Sequence, residues 1–252
     1  MKKLFLMLAI CGLALNTACD KDDDPKTDPV TPTPTPEEPA GPKARLVSFN
    51  SGGWDTYVYT YDGGGKVIKI DRNNGERTWD VAYSDNTITL SGYSEMTMTV
   101  GDNGYVSYLK DGYNDEFYYT YDANGYVSSV KKFDELKGNA IVENGNCTGW
   151  SRFKDGEEEF KINTFLDTKN LAGIHTGYVE YGAGRWLVEL GWFGKANANI
   201  VATNQWASYE GNDDKKSVMT YEYDDNGFVT KEIKTYGKDD PEIYEFTWEV
   251  IE

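Results

Sequence analysis

The side chains in this 252-residue chain that could do acid–base or nucleophilic chemistry are few in kind. There is one histidine, His175, and there are three cysteines, Cys11, Cys19 and Cys147. A thiol–imidazole nucleophile would require Cys147 and His175 to meet in space. Cys147 follows the turn-like run Glu143-Asn144-Gly145-Asn146 and reads more simply as a small strand residue, and a single loop histidine reads as polar surface. Carboxylates are abundant, 42 Asp and Glu in all. A pair about 5–5.5 Å or 6.5–9.5 Å apart would suit glycoside hydrolysis, but no pair is marked by an apolar neighbourhood that would split its pKa values. Glu222, Asp224 and Asn226-Gly227 open like a calcium loop, yet the twelfth position, where a bidentate acid belongs, is Ile233. That stretch is therefore a hairpin turn, and Asp213-Asp214 and Asp239-Asp240 are loop charges. No catalytic residue, metal site or cofactor is assigned.

Binding chemistry has better candidates. Trp186, Trp192 and Trp206 fall in an irregular middle region with Tyr178 and Tyr181. On a rigid sheet such rings could stack on sugars or receive a partner's apolar surface. The simpler alternative is that they fill the core or plug one end of a barrel. Trp186 and Val188 would share a face if Trp186 to Leu190 were a strand, which favours that alternative.

What must position these residues is a repeated hairpin. Tyr119-Thr120-Tyr121-Asp122-Ala123-Asn124-Gly125-Tyr126-Val127 returns as Tyr221 to Val229 and as Tyr59 to Val67, with weaker copies over Thr99–Val106 and Val81–Ile88. In each strong copy the Asp can accept from the backbone two residues on and the Gly supplies positive φ, the chemistry of a type I turn closed by a bulge. Tyr119 and Tyr121 alternate with Thr120, so a Tyr face packs inward and a polar face meets water. Turn signals every 9 to 13 residues from Leu46 to Lys132 predict an antiparallel meander. The tyrosine repeat lapses from Phe133 to Ser208. There Asp134–Gly138 reads as an excursion, Phe160–Gly173 as containing a short helix, and Tyr178–Leu190 as a resumed hairpin. Repeat strands return from Ser217 to Ile251.

The chain opens with an address. Met1-Lys2-Lys3 precedes a 12-residue apolar run, Leu4 to Leu15, too short for a membrane span and suited to a secretory signal. Leu15-Asn16-Thr17-Ala18-Cys19 resembles a bacterial lipobox, with Cys19 as the lipid attachment point, and Asp20-Lys21-Asp22-Asp23-Asp24 resembles the acidic export signal of surface lipoproteins. Residues 1–18 are thus a lipoprotein signal peptide, and residues 19–44 are a lipidated Cys and a linker holding seven of the eight prolines. As an extended spacer its last 25 residues would reach about 75 Å. Residues 45–252 form a single domain carrying 35 of the 36 aromatic residues. The net charge of −17 argues against nucleic acid and against direct adhesion to anionic lipid. With only Cys147 left in the domain, no internal disulfide can form.

The Tyr-x-Tyr-Asp-x-x-Gly-x-Val units resemble YD-type repeats. With Thr168-Lys169-Asn170-Leu171-Ala172-Gly173-Ile174 and Leu190-Gly191-Trp192-Phe193-Gly194-Lys195-Ala196-Asn197-Ala198-Asn199, they resemble a family of Bacteroidetes lipoproteins of unknown function with a porin-like fold. The resemblance implies an all-β chain, an antiparallel β-meander of hairpins curled into a barrel or half-barrel, with a short helix or irregular insertion in the middle. It implies no activity and no membrane pore, since Thr60, Thr120 and Glu222 do not suit a lipid-facing band. The expectation is a lipid-anchored outer-membrane protein facing the cell exterior, a non-catalytic binding or scaffolding module for extracellular glycan or protein. A carbohydrate-active hydrolase with paired carboxylates and an envelope-structural protein are the alternatives.

Overall fold

The computed structural model describes residues 43–154, 157–176, 182–209, 212 and 215–251. The leader, Cys19 and most of the linker lie outside them, as do Tyr178, Tyr181 and Asp213-Asp214. Sixteen strands form one antiparallel sheet: β1 (Lys43–Ser51), β2 (Asp55–Tyr61), β3 (Val67–Arg72), β4 (Arg77–Ser84), β5 (Thr87–Gly92), β6 (Met96–Val100), β7 (Val106–Lys110) and β8 (Glu116–Tyr121). The second half is β9 (Val127–Lys132), β10 (Glu135–Glu143), β11 (Asn146–Lys154), β12 (Glu157–Lys169), β13 (Asn199–Trp206), β14 (Ser217–Tyr223), β15 (Val229–Tyr236) and β16 (Glu242–Ile251). Every strand pairs with its sequence neighbours, and β16 pairs back onto β1, with Phe49 opposite Phe246. The half-barrel alternative is thus excluded: the sheet closes and leaves no edge. Ala40–Glu252 is a compact unit whose described residues supply both its core and every strand of the closed sheet, as an independently folding domain requires.

The repeat builds one end of this barrel. In the 122–125 turn Asp122 Oδ1 accepts from the N–H groups of Asn124 and Tyr126, both at 2.9 Å, and Gly125 takes φ 89°. Asp62 and Asp224 make the same pair of bonds in their own turns. A register shift follows at Thr120/Tyr121, as it does at Thr60/Tyr61 and Glu222/Tyr223, which is the expected bulge. Tyr59 and Tyr119 are buried in the lumen, and the Tyr61 and Tyr121 hydroxyls reach the carbonyls of Leu46 and Val106 on the preceding strands at 2.6 Å. Tyr223 departs from this pattern and is exposed; Tyr221 makes the equivalent bond, to Val201. The chain enters the barrel at this end, where Lys43 pairs with Ile251. We call it the tether end, after the linker expected from the sequence, and the other the far end.

Inside, Phe49, Ile70, Leu90, Met98, Leu109, Val130 and Trp150 are almost completely buried. Outside, Thr, Ser and charged side chains alternate with them, joined in cross-strand pairs such as Ser48–Thr247, Thr120–Ser129 and Glu222–Lys231. Exposed apolar side chains interrupt this polar wall on several strands, among them Val58 of β2, Ile68 of β3, Ile141 of β10, Phe160 and Ile162 of β12 and Ile243 of β16. The interior is packed with apolar side chains, unlike the polar lumen of a porin-type membrane barrel.

Three expectations for the middle region are corrected. Asp134–Gly138 is no excursion, because Glu135 starts β10, which pairs with β9 and β11. Phe160–Gly173 contains no helix: β12 runs 13 residues through Lys169. Of the hairpin expected over Tyr178–Leu190 the first strand lies outside the described residues, and in place of the second, Trp186–Leu190, Arg185–Val188 form a four-residue helix, α1. Alternation over five residues did not distinguish strand from helix there, because tertiary packing decides so short a segment.

Candidate functional site

The connection from β12 to β13 leaves at the tether end, passes into the lumen and returns. Gly182 lies against the Phe117 ring of β8 with φ 87°, where a Cβ has no room. The carbonyl of Trp186 accepts from the Tyr59 hydroxyl on β2 at 2.7 Å, and that of Trp192 accepts from the Val106 N–H on β7 at 2.8 Å. Lys195 and Ala198 donate to the carbonyls of Gly125 and Gly145. The connection is therefore a plug, bonded to walls on several sides.

A buried ionic cluster holds it. Arg185 of α1 donates through Nε to Glu189 Oε1 at 2.7 Å and through both terminal nitrogens to Glu232 of β15, at 3.1 and 2.7 Å. Glu189 Oε2 accepts from the His175 N–H, and Glu232 Oε2 from the Thr176 hydroxyl, each at 2.9 Å. The guanidinium also lies 4.6 Å from the Tyr244 ring centre. Burial opposes the charge on Arg185, but Glu232 and Glu189 outweigh it and hold it protonated. Burial raises the Glu189 pKa, with Arg185 and the His175 N–H pulling against it. His175, expected at the surface, is buried, and its imidazole is pushed down to about 3, first by burial and then by Arg185.

This cluster holds the carboxylate pair that the sequence did not single out. Every carboxylate oxygen of Glu189 and Glu232 already accepts a bond, so the pair is a latch between plug and wall and is not arranged as an acid and base awaiting substrate. Cys147 is equally occupied: its thiol donates to the Gly149 carbonyl at 3.1 Å, and burial pushes it up to about 12. Neither supplies a nucleophile.

The plug separates two cavities. The one at the tether end, about 530 Å³, is lined by Tyr61, Tyr83 and Trp192 and reaches His175 and Glu189. The one at the far end, about 460 Å³, has a floor of three rings. There Trp186 lies parallel to Tyr57 at 4.9 Å and stacks on Trp79 at 5.1 Å. Its mouth carries Tyr93, 53% exposed, and Tyr113, 89% exposed, with Arg72 and Arg77 on one wall. The acid lining it is Asp111, whose Oδ1 is taken by the N–H groups of Tyr113 and Asp115.

The three tryptophans are not brought together. Trp186 floors the far-end cavity, Trp192 lines the tether-end cavity edge-on to Tyr83, and Trp206 ends β13 beneath the Arg152 guanidinium at 3.8 Å. Sequence reasoning missed Tyr57, Trp79, Arg72 and Arg77, which it treated only as repeat strands. A signal was present: Arg72 and Arg77 bracket the turn Asn73-Asn74-Gly75-Glu76, and hairpin register sets them opposite each other.

No protein-family model matches the chain, and no curated protein does. Among solved structures it is similar to a porin-like protein from Bacteroides uniformis ATCC 8492, with TM-score 0.61 and 15% identity over 82% of this chain and 96% of that one. It is also similar to a porin-like protein from Bacteroides vulgatus ATCC 8482, with TM-score 0.53 and 12% identity over 82% of this chain and 100% of that one. At such identities the likeness shows the fold, a porin-like closed barrel.

Proposed function

We propose that this chain is a lipid-tethered, surface-displayed, non-catalytic barrel that binds extracellular carbohydrate at its far end. The observation that carries the reading is the aromatic cavity there, opposite the end where the tether enters. Pockets that combine apolar rings with a few polar groups are the usual form of a small-ligand site. A sugar ring has an apolar face, and Tyr113 offers an open aromatic face with no fold-bearing duty. Among the described residues the one carboxylate in the lining, Asp111, is tied through Oδ1 to its own turn, which favours binding over hydrolysis. The polar outer wall supports a barrel standing in water and held by its lipid.

A glycan array followed by calorimetry on the Ala40–Glu252 barrel tests the site. Tyr113→Ala is expected to weaken the best glycan about tenfold while leaving the melting temperature in place. Trp186→Ala should weaken it as well, at some cost in stability, because Trp186 also packs the plug. A folded barrel that binds nothing on the array would refute this reading and return attention to protein partners.

The anchor is tested separately. Cys19→Ala in the full chain should abolish incorporation of labelled fatty acid and move the protein from the membrane to the soluble fraction, since two or three acyl chains anchor stably where none does. Retention of label in the variant would place the modification elsewhere.

A further inference from the structure

The two arginines at the far-end cavity are placed at a cost that the fold itself does not explain. Arg72 and Arg77 are direct cross-strand partners on β3 and β4, and both face the lumen, continuing the row that contains Ile70 and Trp79. Like charges directly opposite in a sheet repel. Tyr57 stands on the other side of Arg72, as its partner on β2. One acid answers this pair: Asp55 accepts from Arg72 Nε at 2.6 Å, and its same oxygen also takes the Asn73 amide at 3.0 Å. Arg77 has no carboxylate partner among the described residues; its guanidinium lies over the Tyr93 ring at 4.3 Å. Glu76, in the intervening turn, acts on Arg72 only at a distance. Burial raises the Tyr57 hydroxyl, Arg72 and Arg77 pull it down and Asp55 pushes it up, so both guanidinium fields reach the cavity floor against a single carboxylate. All this sits in a chain of net charge −17, where cations facing one cavity are not a general surface property.

From this juxtaposition we infer that the far-end cavity takes an acidic saccharide, one whose ring bears a carboxylate or sulfate that docks between Arg72 and Arg77. The inference rests on the carbohydrate reading above and narrows it. An oxyanion between the two guanidinium forks turns their repulsion into two charge-assisted contacts, and the planar forks match carboxylate and sulfate geometry. Tyr93 holds the Arg77 fork in place before the ligand arrives, so little side-chain freedom is lost on binding. The sugar ring itself then lies against the aromatic mouth at Tyr113.

The test is calorimetry of the barrel with three trisaccharides of one backbone: galacturonic acid, sulfated galactose and unmodified galactose. At least one acidic form is expected to bind about tenfold or more tightly than the neutral one, by a margin that shrinks as salt rises. The acid that retains the preference identifies which oxyanion the site is built for. Arg77→Gln should abolish the preference while keeping or slightly raising the melting temperature, because it also removes the like-charge contact. Equal binding of all three, or a preference that survives Arg77→Gln, would overturn the acidic-ligand inference, while loss of binding in Tyr113→Ala would still uphold the carbohydrate site. A folded wild-type barrel that binds none of them and nothing on the array would overturn both.

Discussion

Arg185→Ala is expected to destabilise the barrel by about 3–5 kcal/mol at neutral pH. The substitution leaves Glu189 and Glu232, with side chains 0% and 1% exposed, facing each other across the plug without their shared counter-ion. Desolvated charge of that kind is among the costliest defects a folded chain can carry. Arg185→Lys should recover only part of the loss, because a single ammonium cannot bond Glu189 through one edge and grip Glu232 through two terminal nitrogens. The check is the urea midpoint of each variant, read by tryptophan fluorescence, since Trp186 and Trp192 ride on the plug. The deficit in Arg185→Ala should also shrink as pH falls. Burial already raises Glu189 in the intact protein, and a carboxylate whose folded pKa lies above its unfolded one favours folding below the unfolded value and loses that advantage as pH rises. An Arg185→Ala barrel with the wild-type midpoint would show that the plug is held by its apolar residues alone.

That latch is the part of the molecule least legible in the sequence, and the reason is physical. The barrel wall is written in local terms. Asp122, Asn124 and Gly125 specify a turn within four residues, Tyr119 and Thr120 specify two faces within one pleat, and repetition multiplies the signal. Closure was legible only as a resemblance, because the pairing of Lys43 with Ile251 spans nearly the whole domain. The latch depends wholly on such distant contacts: Arg185 meets Glu232 from 47 residues away, and Thr176 meets it from 56. Nothing local marks Glu232 among 42 acidic residues, and strict alternation from the buried Val229 would have turned it outward beside Thr230 and Lys234; the bulge at the head of β15 is what brings it inside. His175 misled in the same way. Its neighbours Gly173 and Thr176 read as loop, and they are loop, but a loop inside a barrel is buried. The far-end arginines were the opposite case: the hairpin that pairs Arg72 with Arg77 is local, and their meaning lay in the sign of the charges that the register set side by side.

The buried imidazole leads to the second large effect. Lowering the pH from about 7.5 to about 5 is expected to cost the barrel about 2 kcal/mol through His175 alone. In the unfolded chain this histidine takes up a proton near pH 6.5, roughly the model-peptide value. In the folded chain burial and the Arg185 charge hold it neutral down to about 3. A group whose folded pKa is depressed contributes its full stability above the unfolded pKa and loses it as pH falls, so the loss begins below about pH 6.5 and deepens toward about pH 3. Two other effects run the opposite way over this range. Glu189 gains stability on protonation, and a chain of net charge −17 repels itself less as acid neutralises it. A wild-type curve already falling above about pH 5 would therefore point to His175, since Asp71 and Glu242, whose depressed pKa values also cost stability in acid, act only in and below the carboxylate range. His175→Gln, which keeps the backbone N–H that Glu189 accepts, should flatten or invert the curve. Urea midpoints of wild type and variant across this range decide the matter. Parallel slopes for the two proteins would mean that His175 is solvated or protonated in the folded state, and that the plug packs less tightly around it than its burial indicates.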